Sequence, residues 1–403
     1  MTNLEILIQE LCPDGVEFRT MEEVFEIRNG YTPSKNNPDF WEGGTIPWFR
    51  MEDIRQNGRI LSDAIQHITP AAIKGKGLFP ANSIIIATTA TIGEHALVIA
   101  DSLANQQFTN LVVRKSLSAC LLPKFVFYYM FVIDEWCKKN VNAGNFASVD
   151  MKRFKKLEFP LPPIEVQTEI VRILDKFTSL EAELEAELDC RKRQYEYYRD
   201  KLLSFDNVGG QEVTISKIGD IGRICMCKRI MKNQTNSESG IPFYKIGTFG
   251  KVADAYISND VYEEYKKLYS YPKKGDILMS ASGTIGRTVV FNGKPSYFQD
   301  SNIVWVDNDE TKVFNSYLNY YYQIIEWKTQ GGTIKRLYNN LLAGATIKYP
   351  SLEEQHRIVS ILNRFESLTT SLQSGLPAEI VARRQQYEHY RDKLLTFKRK
   401  GAA

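Results

Sequence analysis

Residues 193–205 read RQYEYYRDKLLSF, and residues 385–397 read QQYEHYRDKLLTF. Ten of these thirteen positions are identical, at an offset of 192. Upstream of each block, residues 167–180 (QTEIVRILDKFTSL) and 355–368 (QHRIVSILNRFESL) agree at eight of fourteen positions, at an offset of 188. Self-similarity at a long fixed offset marks duplication of a structural unit. The chain is therefore two tandem copies, each with a variable front and a near-identical back. The offset shifts by four residues between the blocks, about one helical turn. Weaker matches carry the repeat into the fronts. Ile46-Pro47-Trp48-Phe49-Arg50 resembles Ile241-Pro242-Phe243-Tyr244-Lys245, and Thr91-Ile92-Gly93 resembles Thr284-Ile285-Gly286. Gln107-Phe108-Thr109-Asn110 resembles Gln299-Asp300-Ser301-Asn302, and Trp136 matches Trp327.

The backs read as helices. Ile170, Ile173, Phe177, Leu180, Leu184 and Leu188 recur at steps of three and four, continued by Tyr195, Tyr198, Leu202 and Phe205. The second copy repeats the stripe with Ile358, Ile361, Phe365, Leu368 and Leu372, then Tyr387, Tyr390, Leu394 and Phe397. A sustained 3.5-type seam with charges on the other faces predicts that the two helices pair as a coiled coil. Pro160, Pro162 and Pro163 precede the first helix and Pro350 the second, as start signals. A continuous helix over 164–205 would span about 63 Å. Gly375 and Pro377 predict a kink or break in the second.

The fronts read as mixed α/β. Residues 83–88 and 275–280 are expected as buried strands, as are 111–113 and 303–306. Residues 125–137 and 317–327 are expected as aromatic-rich helices. The fold class is thus α+β. Two mixed α/β domains lie in tandem, each followed by a long helix, the helices pairing antiparallel as a spacer with pseudo-two-fold symmetry. The expected boundaries are 1–163 for the first front, 164–206 for the central helix, 207–350 for the second front and 351–403 for the distal helix.

With 403 residues, 43% of them hydrophobic and 25% charged, the chain can bury ordinary cores. Its 51 Lys and Arg against 48 Asp and Glu leave a net charge of +3, which excludes a histone-like polycation but not a local basic face. The charge is partitioned: −1 over 1–163, −4 over 164–206, +5 over 207–350 and +3 over 351–403. The acidic central helix is expected to face protein rather than phosphates, and the second front to supply more phosphate contacts. No apolar run approaches the length of a membrane span, and Met1-Thr2-Asn3-Leu4-Glu5 is not expected to act as a signal peptide. Six cysteines without a C-x-x-C pair fit a reducing cytoplasm.

Catalytic motifs are missing. No phosphate-binding G-x-x-x-x-G-K-[ST] loop, G-x-G-x-x-G after a strand, H-E-x-x-H or G-x-S-x-G occurs. His67, His95, His356 and His389 are scattered. His356 and His389 replace Thr168 and Tyr197 of the other copy, so no role shared by both copies needs imidazole. Cys225-Met226-Cys227 makes half a metal site at most. No catalytic residue, metal or cofactor is expected.

Two divergent fronts on matching helices resemble the specificity subunit of Type I restriction–modification systems, over essentially the whole chain. The carrying motifs are Phe159-Pro160-Leu161-Pro162-Pro163 followed by Gln167, Ile170, Val171, Leu174 and Phe177, with Arg191 to Leu203 and its copy from Arg383 to Leu395. Gly375-Leu376-Pro377-Ala378-Glu379-Ile380 is similar to the family's distal helix. Glu181-Ala182-Glu183-Leu184 and Glu185-Ala186-Glu187-Leu188 look like the short tetrapeptide repeat of some members. The resemblance implies that each front is a target recognition domain reading one half of a bipartite site in double-stranded DNA. It implies helices that space the fronts and bind two modification (adenine methyltransferase) subunits, restriction subunits as further partners, and chemistry left to those partners. The tetrapeptide copy number is expected to set the gap in the recognised site.

Loop residues able to contact DNA beside aromatics are Arg28, Tyr31, Lys35, Arg50, Lys76, Gln107 and Asn145 in the first front. In the second they are Lys228, Arg229, Lys245, Ser282, Gln299, Lys335 and Arg336. Arg50 pairs with Lys245, and Gln107 with Gln299, as shared positioning residues. Tyr197, Arg199, Lys201, His389, Arg391 and Lys393 are the expected partner-facing residues of the helices. Two other readings compete: a self-contained DNA-modifying enzyme and a coiled-coil scaffold that binds only proteins. The missing cofactor loops speak against the first, and two divergent, loop-rich heads against the second.

Overall fold

A computed structural model describes residues 3–75, 77–142, 147–205, 212–332, 335–370 and 375–401. The chain divides into two compact units, Met1–Leu184 with Ile380–Ala403, and Glu185–Glu379. The two are built alike. In the first unit a sheet runs in the order Phe25–Asn29, Phe108–Val113, Ser83–Ala87 and His95–Val98, with Ile60–Leu61 added in parallel at the edge. In the second the same order is Gly222–Cys225, Ile303–Asn308, Ile277–Ser280 and Thr288–Val290. Each unit has a second sheet of shorter strands with a parallel pair at one edge. That pair is Ile46–Phe49 beside Leu103–Ala104 in one unit and Ile241–Tyr244 beside Tyr297–Phe298 in the other. A two-stranded ribbon completes each unit: Glu17–Thr20 with Glu158–Leu161, and Thr214–Lys217 with Thr346–Tyr349.

The buried strands need apolar side chains on both faces because each divides two cores. Ile84 and Ile86 point into the core shared with the long helix, while Ile85 and Ala87 point into the core of the small sheet. Ile277 and Met279 against Leu278 repeat this in the second unit. Alternation with a period of two is what a pleated strand imposes.

The first expected front helix forms as Pro123–Lys139. The second stops early: it covers Asn315–Tyr321, and Trp327 lies beyond it. The chain turns after Tyr322, and the Trp327 indole lies against Gly286, where a Cβ would come within 2.5 Å of its Nε1. Gly286 has φ +83° and its counterpart Gly93 has φ +78°, with a Cβ there 2.7 Å from the Asp134 carbonyl oxygen. Thr-Ile-Gly is therefore a tight turn needed by the backbone in both copies.

The central helix is continuous over Ile164–Ser204. Its copy is two helices, Leu352–Thr370 and Gly375–Leu394, the second opening at Gly375 with φ +75°. Leu372 lies outside the described residues. Within each unit the helices pair antiparallel. In the first, Phe177 stacks on Tyr390 and Glu181 meets Arg384 at 2.6 Å. In the second, Tyr198 stacks on Phe365, and the end of the central helix is tied to the ribbon strand, where the Lys348 ammonium donates to the Ser204 carbonyl. The stripe read from the sequence is partly displaced: Leu180 and Leu368 are exposed, whereas Val166, Leu174, Leu203 and Leu362 are fully buried. The helix ends pack on the fronts as well as on the partner helix, so the buried phase moves toward the domain core.

A buried glutamine locks each helix to its front. The Gln167 amide donates to the carbonyls of Cys120 and Pro162 at 2.7 Å each and accepts from the Leu122 N–H at 2.9 Å. Gln355 does the same with Lys312, Pro350 and the Phe314 N–H, all at 2.9 Å. A tyrosine adds a second tie. Tyr128 donates to Asp175 at 2.7 Å, and Tyr320 hydrogen-bonds Asn363 and Glu366 at 2.6 Å each. Among the described residues no helix is long and apolar enough to cross a membrane.

Candidate nucleic-acid interface

The parallel strand pair of the small sheet brings two loops together in each unit. In the second unit Tyr244 pairs with Phe298, so Lys245 and Gln299 emerge side by side from the strand ends. A cleft of about 430 Å³ opens there, lined by Arg229, Lys232, Lys245, Gln299, Asn302 and Arg336, with Asp300 among them. Four predicted residues, Arg229, Lys245, Gln299 and Arg336, thus share one site. Lys232 is exposed in it and was not among the residues singled out from sequence. Four cations and two amides around a groove can hold phosphate oxygens and base edges.

The first unit builds the same place at matching register. Phe49 pairs with Ala104, so Arg50 and Asn105 emerge where Lys245 and Gln299 do. Asn105 N–H donates to the Phe49 carbonyl, as Gln299 N–H does to that of Tyr244. Thr88 N–H binds the Gln107 carbonyl, as Ala281 N–H binds that of Asn302. The structural partner of Gln107 is therefore Asn302, not Gln299 as residue likeness suggested. The loop between the two bonds is one residue longer in the second copy, and the strand ladder fixes the register. The first strands align Ile27 with Ile224, since each faces its equivalent on the neighbouring strand. Counting onward sets Thr32 at the place of Arg229 and Lys35 at that of Lys232.

The remaining predicted residues are placed as follows. Lys35, Lys228, Lys335 and Arg336 are exposed. The Lys228 ammonium sits 4.9 Å over the Tyr269 ring. Arg50 is tied to Glu52 at 3.1 Å and Lys245 to Asp254 at 2.8 Å. Arg28 lies on a strand rather than a loop, its guanidinium donating to the Leu78 carbonyl and lying over Phe79. The Tyr31 hydroxyl donates to the Ala72 carbonyl and accepts from Lys74 N–H. The Gln107 side chain accepts from Asn105 Nδ2, and Gln299 Oε1 accepts from Ile246 N–H. Arg28, Tyr31 and Gln107 hold the protein's own turns, and Gln299 does so through its oxygen while lining the cleft. Ser282 is only 5% exposed and donates to Asn302 Oδ1, so it supports the cleft from beneath instead of lining it. Lys76 and Asn145 lie outside the described residues.

On the helices, Tyr197, Lys201, His389 and Lys393 are exposed. Arg199 and Arg391 are turned into their own units, with side chains 16% and 14% exposed. Arg199 lies over Tyr195 and donates to Gln323, while Arg391 lies over Phe131 and Tyr387. A guanidinium that gains a ring face is held more firmly there than in water. Burial pushes the Cys227 thiol up to about 12, so it is a packed hydrophobe and not a ready metal ligand.

A family model described as the Type I restriction modification DNA specificity domain matches residues 13–189 and again 210–382. The chain is 55% identical over 260 residues to a provisionally named type I restriction enzyme specificity subunit of Haemophilus influenzae, covering 62% of this chain and 66% of that one. It is 52% identical over 229 residues to the Type I restriction enzyme EcoprrI specificity subunit of Escherichia coli, covering 53% and 57%. The matches thus span less than two thirds of these relatives' lengths. A chain solved in a study of complex assembly and conformational transition of the type I R-M system superposes with a TM-score of 0.64 at 18% identity, covering 95% of this chain and 98% of that one. That likeness is one of fold.

Proposed function

The chain belongs to the Type I restriction modification DNA specificity family, and on that premise we propose that it is the non-catalytic, sequence-reading subunit of a Type I restriction–modification complex. The recognition domains are 1–163 and 207–350, and each reads one half of a bipartite site in double-stranded DNA. The helices of 164–206 and 351–403 dock two modification subunits, which methylate adenine, and restriction subunits join that assembly. Of the helix residues, the exposed Tyr197, Lys201, His389 and Lys393 are the ones available to a partner. The work is done in the cytoplasm, a compartment that six free cysteines suit.

One observation carries the reading. The same place at the ends of two parallel strands is built twice, with an amide kept at two positions (Asn105 and Gln299, Gln107 and Asn302) and other residues exchanged: Thr32 for Arg229, Arg50 for Lys245. A repeated frame with altered contents is what two readers of unlike half-sites require, because the frame positions and the side chains specify. The second unit's cleft, with four cations, supplies most of the phosphate attraction.

The test is to sequence modified adenines in cells carrying the chain with its modification subunit. A split motif with two unlike halves and a fixed gap is expected. A contiguous motif, or a palindrome with identical halves, would refute the reading. Removing residues 185–188 from the central helix shortens it by about 6 Å, and the gap should change with it.

A further inference from the structure

The cleft of the second unit contains a cation built differently from its neighbours. Arg229 lies on the loop that leaves strand Gly222–Cys225, and two thirds of its side chain is exposed (67%). Its Nε donates to Asp300 Oδ2 at 2.9 Å. Asp300 itself is mostly covered, 19% exposed, and the same oxygen accepts the Ser301 hydroxyl at 3.1 Å. The loop is stiff there. Ser301 holds φ +54°, Asn302 N–H binds the Asp300 carbonyl at 2.6 Å, and Asn302 Oδ1 takes the hydroxyl of buried Ser282. A carboxylate fixed by a closed turn therefore grips the inner nitrogen of an otherwise exposed guanidinium.

A phosphate contact does not need this arrangement. Phosphate is met by any flexible cation, as exposed Lys232 beside it would do. A guanidinium anchored at Nε is instead held flat, with its outer edge presented as a fork. That fork matches the O6 and N7 acceptors of guanine in the major groove. The carboxylate also adds a selective element, since its negative charge repels phosphate from the same spot. In the first unit Thr32 takes the position of Arg229, its hydroxyl hydrogen-bonding Gln106 in the neighbouring loop as Arg229 bonds Asp300.

Resting on the reading of this cleft as a DNA interface, we infer that Arg229 is a specificity-determining residue that reads a guanine in the half-site met by the second unit, and that Asp300 is its positioning residue. The first unit reads its half-site at this place without an arginine fork.

The experiment is selection of bound duplexes from a pool randomised across both half-sites, using the chain assembled with its modification subunits. The unaltered chain should select a half-site containing guanine. Arg229→Ala and Arg229→Lys should both flatten preference at one guanine position, by roughly ten- to a hundredfold, and leave the other half-site unchanged. Asp300→Asn keeps an acceptor oxygen and should blur the same position less than Asp300→Ala does. A role confined to holding the loop together would instead lower the melting temperature and leave the base profile intact. If Arg229→Ala and Arg229→Lys weaken all sequences alike and leave the base profile intact, Arg229 is a phosphate contact and the inference fails while the DNA interface stands. If Lys232→Ala with Lys245→Ala leaves affinity and salt dependence untouched, the interface itself is misplaced.

Discussion

The joints and the clefts of the two units diverged by different amounts. At the joint, Gln167 and Gln355 make the same three buried bonds, and Tyr128 and Tyr320 reach the same turn of the helix. Only the partners are exchanged, Asp175 and Thr178 for Asn363 and Glu366. At the cleft the backbone bonds persist while Thr32 stands opposite Arg229 and Gln106 opposite the Asp300 loop. A buried polar lock tolerates little change, because any lost partner leaves an unpaired group. An exposed groove tolerates almost any change, and its residues are free to follow a ligand.

The comparison can be broken at the joint first. Gln167→Leu should leave the buried Pro162 carbonyl unpaired, at about 1–3 kcal/mol, and take their partner from the less buried Leu122 N–H and Cys120 carbonyl, at about 1 kcal/mol each. Gln355→Leu should cost the second unit a similar amount. Urea unfolding followed by a probe in each unit measures both, and a large loss in one copy with none in the other would show that the locks are not equivalent.

At the clefts the effect is smaller and depends on salt. Lys232→Ala with Lys245→Ala should reduce the slope of log affinity against log salt by about two, and Lys35→Ala by about one. Equal slopes would contradict the richer cation content of the second cleft. A subtler contrast lies where each helix arginine meets its front. Phe131→Ala removes the ring 4.7 Å from Arg391, a loss of about 0.5–2 kcal/mol. Gln323→Ala removes one 3.2 Å hydrogen bond from Arg199, a loss of about 1 kcal/mol.

The smallest effect appears only in alkali. Burial raises Tyr129 and Tyr387 to about 12, and it raises Tyr317 and Tyr320 further, Tyr320 with help from its bond to Glu366. A phenol whose folded pKa lies above its unfolded value near 10 releases its proton more easily when unfolded. Stability should therefore hold up to about pH 10 and fall as pH rises toward 12. Melting temperatures across that range, followed in parallel by tyrosinate absorbance, check the sign.

Much of this was legible beforehand because the repeat is strong where burial is strict. The helices themselves and the buried strands at 83–88 and 275–280 follow from local periodicity, whereas the buried phase of the helices is shifted by the fronts they pack on, leaving Leu180 and Leu368 exposed. The cleft was half legible. Arg229, Lys245, Gln299 and Arg336 carry the right chemistry in loops, but Ser282 and Arg28 carry the same chemistry and are committed to the protein's own bonds. Residue type does not reveal whether a polar group has already found a partner.

The amino-acid sequence by itself determined that there are two copies, that long helices follow each front, and that no recognisable catalytic motif is present. Those properties reside in composition, spacing and repetition along the chain. Only the tertiary structure decided which residues are equivalent between copies and which face solvent. Gln107 answers to Asn302 because hydrogen bonds across neighbouring strands set register, whatever the side chains resemble. Arg199 and Arg391 turn inward because a ring or an amide from a distant segment waits there to receive them.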